Sequence, residues 1–162
     1  MGFRTIVGDI TTIQADAVVN AANAKGYMGG WLGRYVRLRG VAESIHYVTR
    51  GAVATEAKQV VRRHRPDLGD VYVTRAYNLS ADWVIHAVTV LRPGLRSNLT
   101  VVERCIENVL SASETLGVHV IAVPLLGTGT GRVPISEVEA LYERKFTFRD
   151  DLDIIIVRPG KE

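Results

Sequence analysis

The sequence predicts an α/β fold of three layers, a sheet covered by helices on both faces. Two observations carry that expectation. Strand-like and helix-like segments alternate along the 162 residues, the pattern of a sheet whose crossovers lie on its faces. Several strand-like runs, such as AVV at 17–19 and VIAVPLL at 120–126, are apolar without alternation, as strands buried on both sides require.

FRTIVGD (residues 3–9) reads as the first strand, ending at Gly8-Asp9, and ADAVVNAA (15–22) as the second. From 31 to 50 the spacing turns helical, with Leu32, Tyr35, Val36 and Leu38, then Val41, Ile45 and Val48; Gly40 divides two short helices. AVATEAKQVVRRH (52–64) is a clearer helix. Ala57, Val60 and Val61 share a face, Arg62, Arg63 and Arg65 suit the negative end of the helix dipole, and Pro66 stops it. GDVYVTRAYNL and DWVIHAVTV are strands broken by Ser80-Ala81-Asp82, and RPGLRSN is a loop. A helix over 101–116 follows, with Val102, Ile106, Val109 and Leu110 as its buried stripe, Thr100 and Glu103 as a capping box and Gly117 as its C-terminal stop. HVIAVPLL is a short buried strand. Pro134 with a Ser136/Glu139 capping box opens the last helix, and LDIIIVRP is the last strand.

The composition is 47% hydrophobic and 23% charged, which excludes disordered and fibrous classes. Residues 1–162 are expected to form a single domain. No apolar run approaches the roughly 20 residues that span a bilayer. The first residues, MGFRTIVGD, do not resemble a signal peptide, and Ile6 breaks the myristoylation pattern. A soluble, cytoplasmic protein with no membrane partner is expected. The one cysteine, Cys105, sits in an apolar helical pattern and reads as a small buried hydrophobe. His46, His64, His86 and His119 are scattered without ligand spacing, so neither a metal nor another cofactor is expected. A net charge of +3 and a pI near 9.2 suit anionic partners, nucleotides and RNA among them.

Ligands in such folds bind outside the carboxyl ends of the strands, and both unusual loops follow strand ends, so they could share one cleft. LLGTGTGRVP (125–134) can turn backbone N–H groups toward an anion, or can be only a tight strand-to-helix turn. It is not a P-loop, because Arg132-Val133 replaces Lys-Ser or Lys-Thr, and it fails the dinucleotide fingerprint at Arg132. NAANAKGYMGG (20–30) is equally open between a ligand loop and an ordinary one. Asp9 can accept hydrogen bonds from an exocyclic amine, or can cap the turn that carries Thr11 and Thr12.

Taken as a set in this order, GDIT (8–11), AVVNAAN (17–23), the pair Gly29-Gly30, YNL before WVIHAV (77–88) and PLLGTGTG (124–131) resemble the macro domain family of ADP-ribose-binding modules. The resemblance runs from about residue 6 to residue 156 and implies an α/β/α sandwich with a mixed central sheet. It also implies site roles. Asp9 would take the adenine amino group and the Ile10 N–H a ring nitrogen. Asn23 would take the hydroxyls of the distal ribose, with Asn20 shaping the loop. Gly29 and Gly30 on one side, and Gly127, Thr128, Gly129, Thr130 and Gly131 on the other, would wrap the pyrophosphate. His86 reads as structural.

The sequence departs from the family in two places. Relatives that remove mono-ADP-ribose carry four glycines, Val-Asp-Gly and a histidine; here MGGWLGRYVR puts Gly33 at the aspartate position and Arg37 near the histidine position. Losing such a carboxylate removes a general-base candidate, a factor of about 10²–10⁴ in rate. The aromatic residue that packs on the distal ribose in many relatives is also missing. Trp31 or Tyr27 could replace it, or Trp31 could lie in the core. Arg34, Arg37 and Arg132 could reach the pyrophosphate or form a solvated rim. The expected function is binding of ADP-ribose, free or protein-linked. The alternative is an ADP-ribosyl hydrolase, acting on mono-ADP-ribosylated protein, O-acetyl-ADP-ribose or ADP-ribose-1''-phosphate. It has no assigned catalytic residue beyond Asn23 as an orienting group. RNA binding is a third reading.

Overall fold

A computed structural model describes residues 2–160. Six strands form one sheet: β1 (Gly2–Val7), β2 (Ala17–Asn23), β3 (Val71–Arg75), β4 (Trp83–Val90), β5 (Val120–Pro124) and β6 (Asp153–Arg158), in the order β1-β6-β5-β2-β4-β3. All pairings are parallel except β3 with β4. The sheet is therefore mixed, as the resemblance implied.

Alternation along the strands decides which face each side chain enters. Val19, Ile85, Val123 and Ile156 face one core, covered by α3 (Leu99–Leu116) and α4 (Ile135–Phe146). Val18, Val84, Ala122 and Ile155 face the other, covered by α1 (Val41–Val48) and α2 (Ala52–His64). Cys105 is buried in the first core, where burial pushes its thiol up to about 12. The apolar strand runs follow from this double coverage.

Three local expectations change. The segment after Trp31 forms a single 3-10 turn, Leu32–Arg34, rather than a first short helix, and Gly40 is the N-cap of α1. Helix α3 starts earlier, with Asn98 as cap accepting from the Val101 N–H at 3.0 Å; Glu103 pairs with Lys145 instead of closing a box. Helix α4 starts at Ile135 behind Pro134 without a side-chain cap, and Glu139 pairs with Arg158 at 3.4 Å. The Gly117 cap, left-handed at φ 68°, forms as expected. No helix among the described residues is long and apolar enough to cross a membrane.

Candidate functional site

The parallel strands β1, β5 and β2 deliver three segments to one edge of the sheet: Asp9 and its turn, loop 2 (residues 125–133), and loop 1 (residues 24–40). Because β2 pairs directly with β5, the two glycine loops leave neighbouring strand ends. No main-chain hydrogen bond joins them among the described residues.

Asp9 caps the 3-10 turn Ile10–Thr12: its Oδ1 accepts from the Thr11 N–H at 3.0 Å and the Thr11 hydroxyl at 2.7 Å. Its Oδ2 accepts from Arg37 Nη2 at 2.5 Å. Partial burial acts to raise the Asp9 pKa, but Thr11 and the Arg37 guanidinium outweigh it and hold the carboxyl below its ordinary value. The turn-cap reading of Asp9 is thus seen, and its second oxygen meets a cation. Arg37 lies on Asp9, not on a phosphate loop. Ile10 is buried.

Loop 2 is a backbone construction. Gly127 is left-handed (φ 77°), and a Cβ there would meet Val102 Cγ2 at 2.9 Å; one on Gly131 would meet the Gly127 carbonyl oxygen at 2.7 Å. Val133 N–H donates to Gly127 at 2.8 Å, Arg132 N–H to Gly129 at 3.1 Å, and Ser97 N–H to Gly131 at 2.9 Å. With the carbonyls turned inward to these bonds, the N–H groups of Gly127, Gly129, Thr130 and Gly131 donate to no group among the described residues. Thr128 bonds back to Leu125 by its hydroxyl at 2.7 Å. Below the loop, buried Tyr142 donates its hydroxyl to the Pro124 carbonyl at 2.6 Å and accepts from Leu126 N–H at 2.9 Å. Ser97 and Tyr142 were missed from sequence, since neither lies in the motif they support.

Loop 1 is held by side chains. Asn23, at a bulge where β2 slips register against β4, donates to the Tyr27 carbonyl at 2.9 Å and accepts from the N–H groups of Lys25 and Tyr27 at 2.9 and 3.2 Å. Its amide shapes the loop. Asn20 is wholly buried and bonds to His86 Nδ1 at 3.1 Å, while its Oδ1 has no partner. His86 in turn meets the Thr74 hydroxyl at 2.9 Å and stacks on Tyr72 at 4.6 Å. Burial lowers the His86 pKa to about 3, so this neutral ring is structural, as expected. The two asparagines divide the work: one ties strands, the other ties the loop.

Gly29 (φ 125°) and Gly30 (φ 65°) take backbone forms that side chains avoid. Gly30 offers its carbonyl to His46 Nε2 at 2.6 Å. A carbonyl only accepts, so Nε2 carries a proton in this contact, and the buried Nδ1 has no partner among the described residues. His46 also packs against Gly33: a Cβ there would lie 3.0 Å from His46 Cδ2. Glu43, one turn earlier on α1, lies beside Gly29, and burial raises its pKa. Neither residue stood out in the sequence. Trp31 is 73% exposed, edge-on to Tyr35 with ring centres 5.5 Å apart, so it is not a core residue. Tyr27 lies over Gly30. Arg34 packs against Gly51, and Arg132 is an exposed left-handed residue (φ 58°). No cluster of metal-ligating side chains exists among the described residues.

The comparisons agree with this architecture. The Macro domain model matches residues 19–142. A protein of Pyrobaculum aerophilum is 39% identical over 96% of this chain and 82% of its own length. A macro domain-containing protein of Streptomyces coelicolor is 30% identical over 84% of this chain and 77% of its own. Among solved structures, the macrodomain of Thermus aquaticus DarG superposes with a TM-score of 0.81 at 20% identity, covering 97% of this chain and 98% of that one. A variant Oceanobacillus iheyensis macrodomain with ADPR superposes at 0.79 and 22% identity, covering 99% and 86%. On the family match and these sequence relatives, the chain belongs to the Macro domain family.

Proposed function

We propose that residues 1–162 act as one macro-type unit that binds ADP-ribose, free or attached to a protein. The observation that carries this reading is the run of N–H groups in loop 2 without a partner among the described residues, beside the end of the neighbouring strand β2. Such an array favours a pyrophosphate, and a carboxylate with one oxygen on a part-exposed arginine can exchange it for an exocyclic amine. The solved O. iheyensis macrodomain with ADPR supports the same ligand. Asp9 then reads adenine, Ile10 N–H a ring nitrogen, and Gly29, Gly30 and residues 127–131 the pyrophosphate. The distal ribose lies beside Asn23, which positions it through the loop it holds. The test is calorimetric titration with ADP-ribose. Binding is expected in the wild type and its loss in Asp9→Ala; no heat in the wild type would overturn the reading.

Hydrolysis of an ADP-ribosyl bond is a second reading, favoured by one observation. Glu43 lies beneath loop 1 with its side chain beside Gly29 and its carboxyl against Gly40, and burial raises its pKa, which leaves a protonatable group near the glycine pair. Release of ADP-ribose from a mono-ADP-ribosylated protein, lost in Glu43→Gln while ADP-ribose still binds, is the expected result. No release by the wild type leaves the protein a binder.

A further inference from the structure

Strand order lines up the stations of the sheet edge: Asp9 after β1, loop 2 after β5, Asn23 at the end of β2, and Leu91 just past β4. Leu91 belongs to a depression of about 690 Å³ that the ligand reading leaves unused. Its lining includes Lys25, Lys58, Arg62 and Arg65 over Val61 and Leu91, and no acidic residue. None of the four cations is in an ion pair among the described residues, whereas Arg4, Arg104, Lys145, Arg149 and Arg158 each meet a carboxylate. Four like charges held together without counter-charge cost repulsion, which an anionic ligand relieves.

The site is built from two segments. Lys58, Arg62 and Arg65 follow four and three residues apart along α2 and its C-cap, steps of about 6 Å and about 4.5 Å along the helix axis. Lys25 comes from loop 1. It is held there by Gly26, whose left-handed backbone (φ 70°) presses on α2 so closely that a Cβ would lie 3.1 Å from Lys58 N. Arg63 and His64, in the same last helical turn, are not part of the lining.

The geometry points to a binding site for the sugar–phosphate strand of a single-stranded nucleic acid, separate from the ADP-ribose stations. Cations a few ångströms apart in a row answer successive phosphates. The apolar floor, with Pro66 and a 42% exposed Leu91, takes a sugar or the face of a base, which an acidic peptide does not need. A lipid surface needs protruding apolar side chains rather than a hollow.

The test is fluorescence anisotropy of a labelled oligouridylate with the full chain between about 50 and 200 mM salt. Binding is expected with a log–log salt slope near −3, about −0.7 for each of four neutralised phosphates. The triple variant K58E/R62E/R65E is expected to lose at least tenfold in affinity and to flatten the slope. All three side chains are exposed, so the fold should survive; the neutral K58Q/R62Q/R65Q variant gives an intermediate loss. ADP-ribose titration of both variants should match the wild type, so failure of either reading shows separately. Three results would overturn the proposal: no binding, binding indifferent to the triple substitution, or displacement by polyglutamate as effective as by unlabelled oligonucleotide.

Discussion

Loops 1 and 2 leave adjacent strand ends, yet they are held in opposite ways. Loop 2 is closed by its own main chain, with glycines packed where no Cβ fits and Tyr142 bridging its root. Loop 1 is tethered by side chains, Asn23 at its start and His46 beneath its glycines, and it shows Trp31 and Tyr35 to solvent. Main-chain donors held by main-chain bonds present one fixed geometry, whereas a side-chain-tethered loop can adjust its contacts. Loop 2 is thus the preorganised half of the proposed site, and loop 1 the half whose tethers leave it room to adjust.

Acid should separate the halves most strongly, because loop 1 begins from β2, where Asn20 bonds neutral His86. His86 has a folded pKa of about 3 against an ordinary 6.5. The unfolded chain therefore takes the proton first, and stability falls as pH drops from 6.5 toward 3, by up to about 1.4 kcal/mol per pH unit. Urea unfolding across that window should show this slope, reduced in His86→Gln; equal slopes would remove His86 from the account. Next, Gly131→Ala drives a methyl against the Gly127 carbonyl and should cost about 2 kcal/mol, read as a lowered Tm. Gly129→Ala, which meets nothing within 4 Å, should stay within about 0.5 kcal/mol.

Asn23→Ala unties Lys25 and Tyr27 and should cost about 1–2 kcal/mol. Hydrogen exchange should quicken at residues 24–31 and stay unchanged in loop 2; quickening in both would mean the loops are not independent. Arg37→Ala is the smallest effect. It frees Asp9 Oδ2 from a partly exposed ion pair worth less than about 1 kcal/mol, so ADP-ribose should bind up to about fivefold tighter by calorimetry. Weaker binding would make Arg37 a ligand contact rather than a competitor.

The same contrast governs what the sequence made legible. Strand runs, the Gly117 cap and the glycine loops carry local signals, and they appear where the spacing places them. The two capping boxes did not form, because Asn98 reaches the Val101 N–H first and Glu139 has Arg158 as a partner on β6. Asn20 meets His86 across 66 residues, and Arg37 crosses 28 to Asp9. Such partners are set by sheet register and loop course, which no local pattern encodes. Loop 2 was readable where its bonds are local, as between Gly127 and Val133, and its distant supports Ser97 and Tyr142 were not. Much of loop 1 was not, because its supports come from α1 and β4.

β1 pairs with β6, joining residues 2–7 to 153–158. During synthesis, β1 therefore has no strand neighbour until β6 has left the ribosome, and the turn at Asp9 waits with it. Residues 17–133, with both glycine loops, can assemble while that seam is open. On the proposed reading, base recognition by Asp9 then depends on β6, and a nascent chain stalled before residue 153 should hold phosphates without distinguishing the base attached to them.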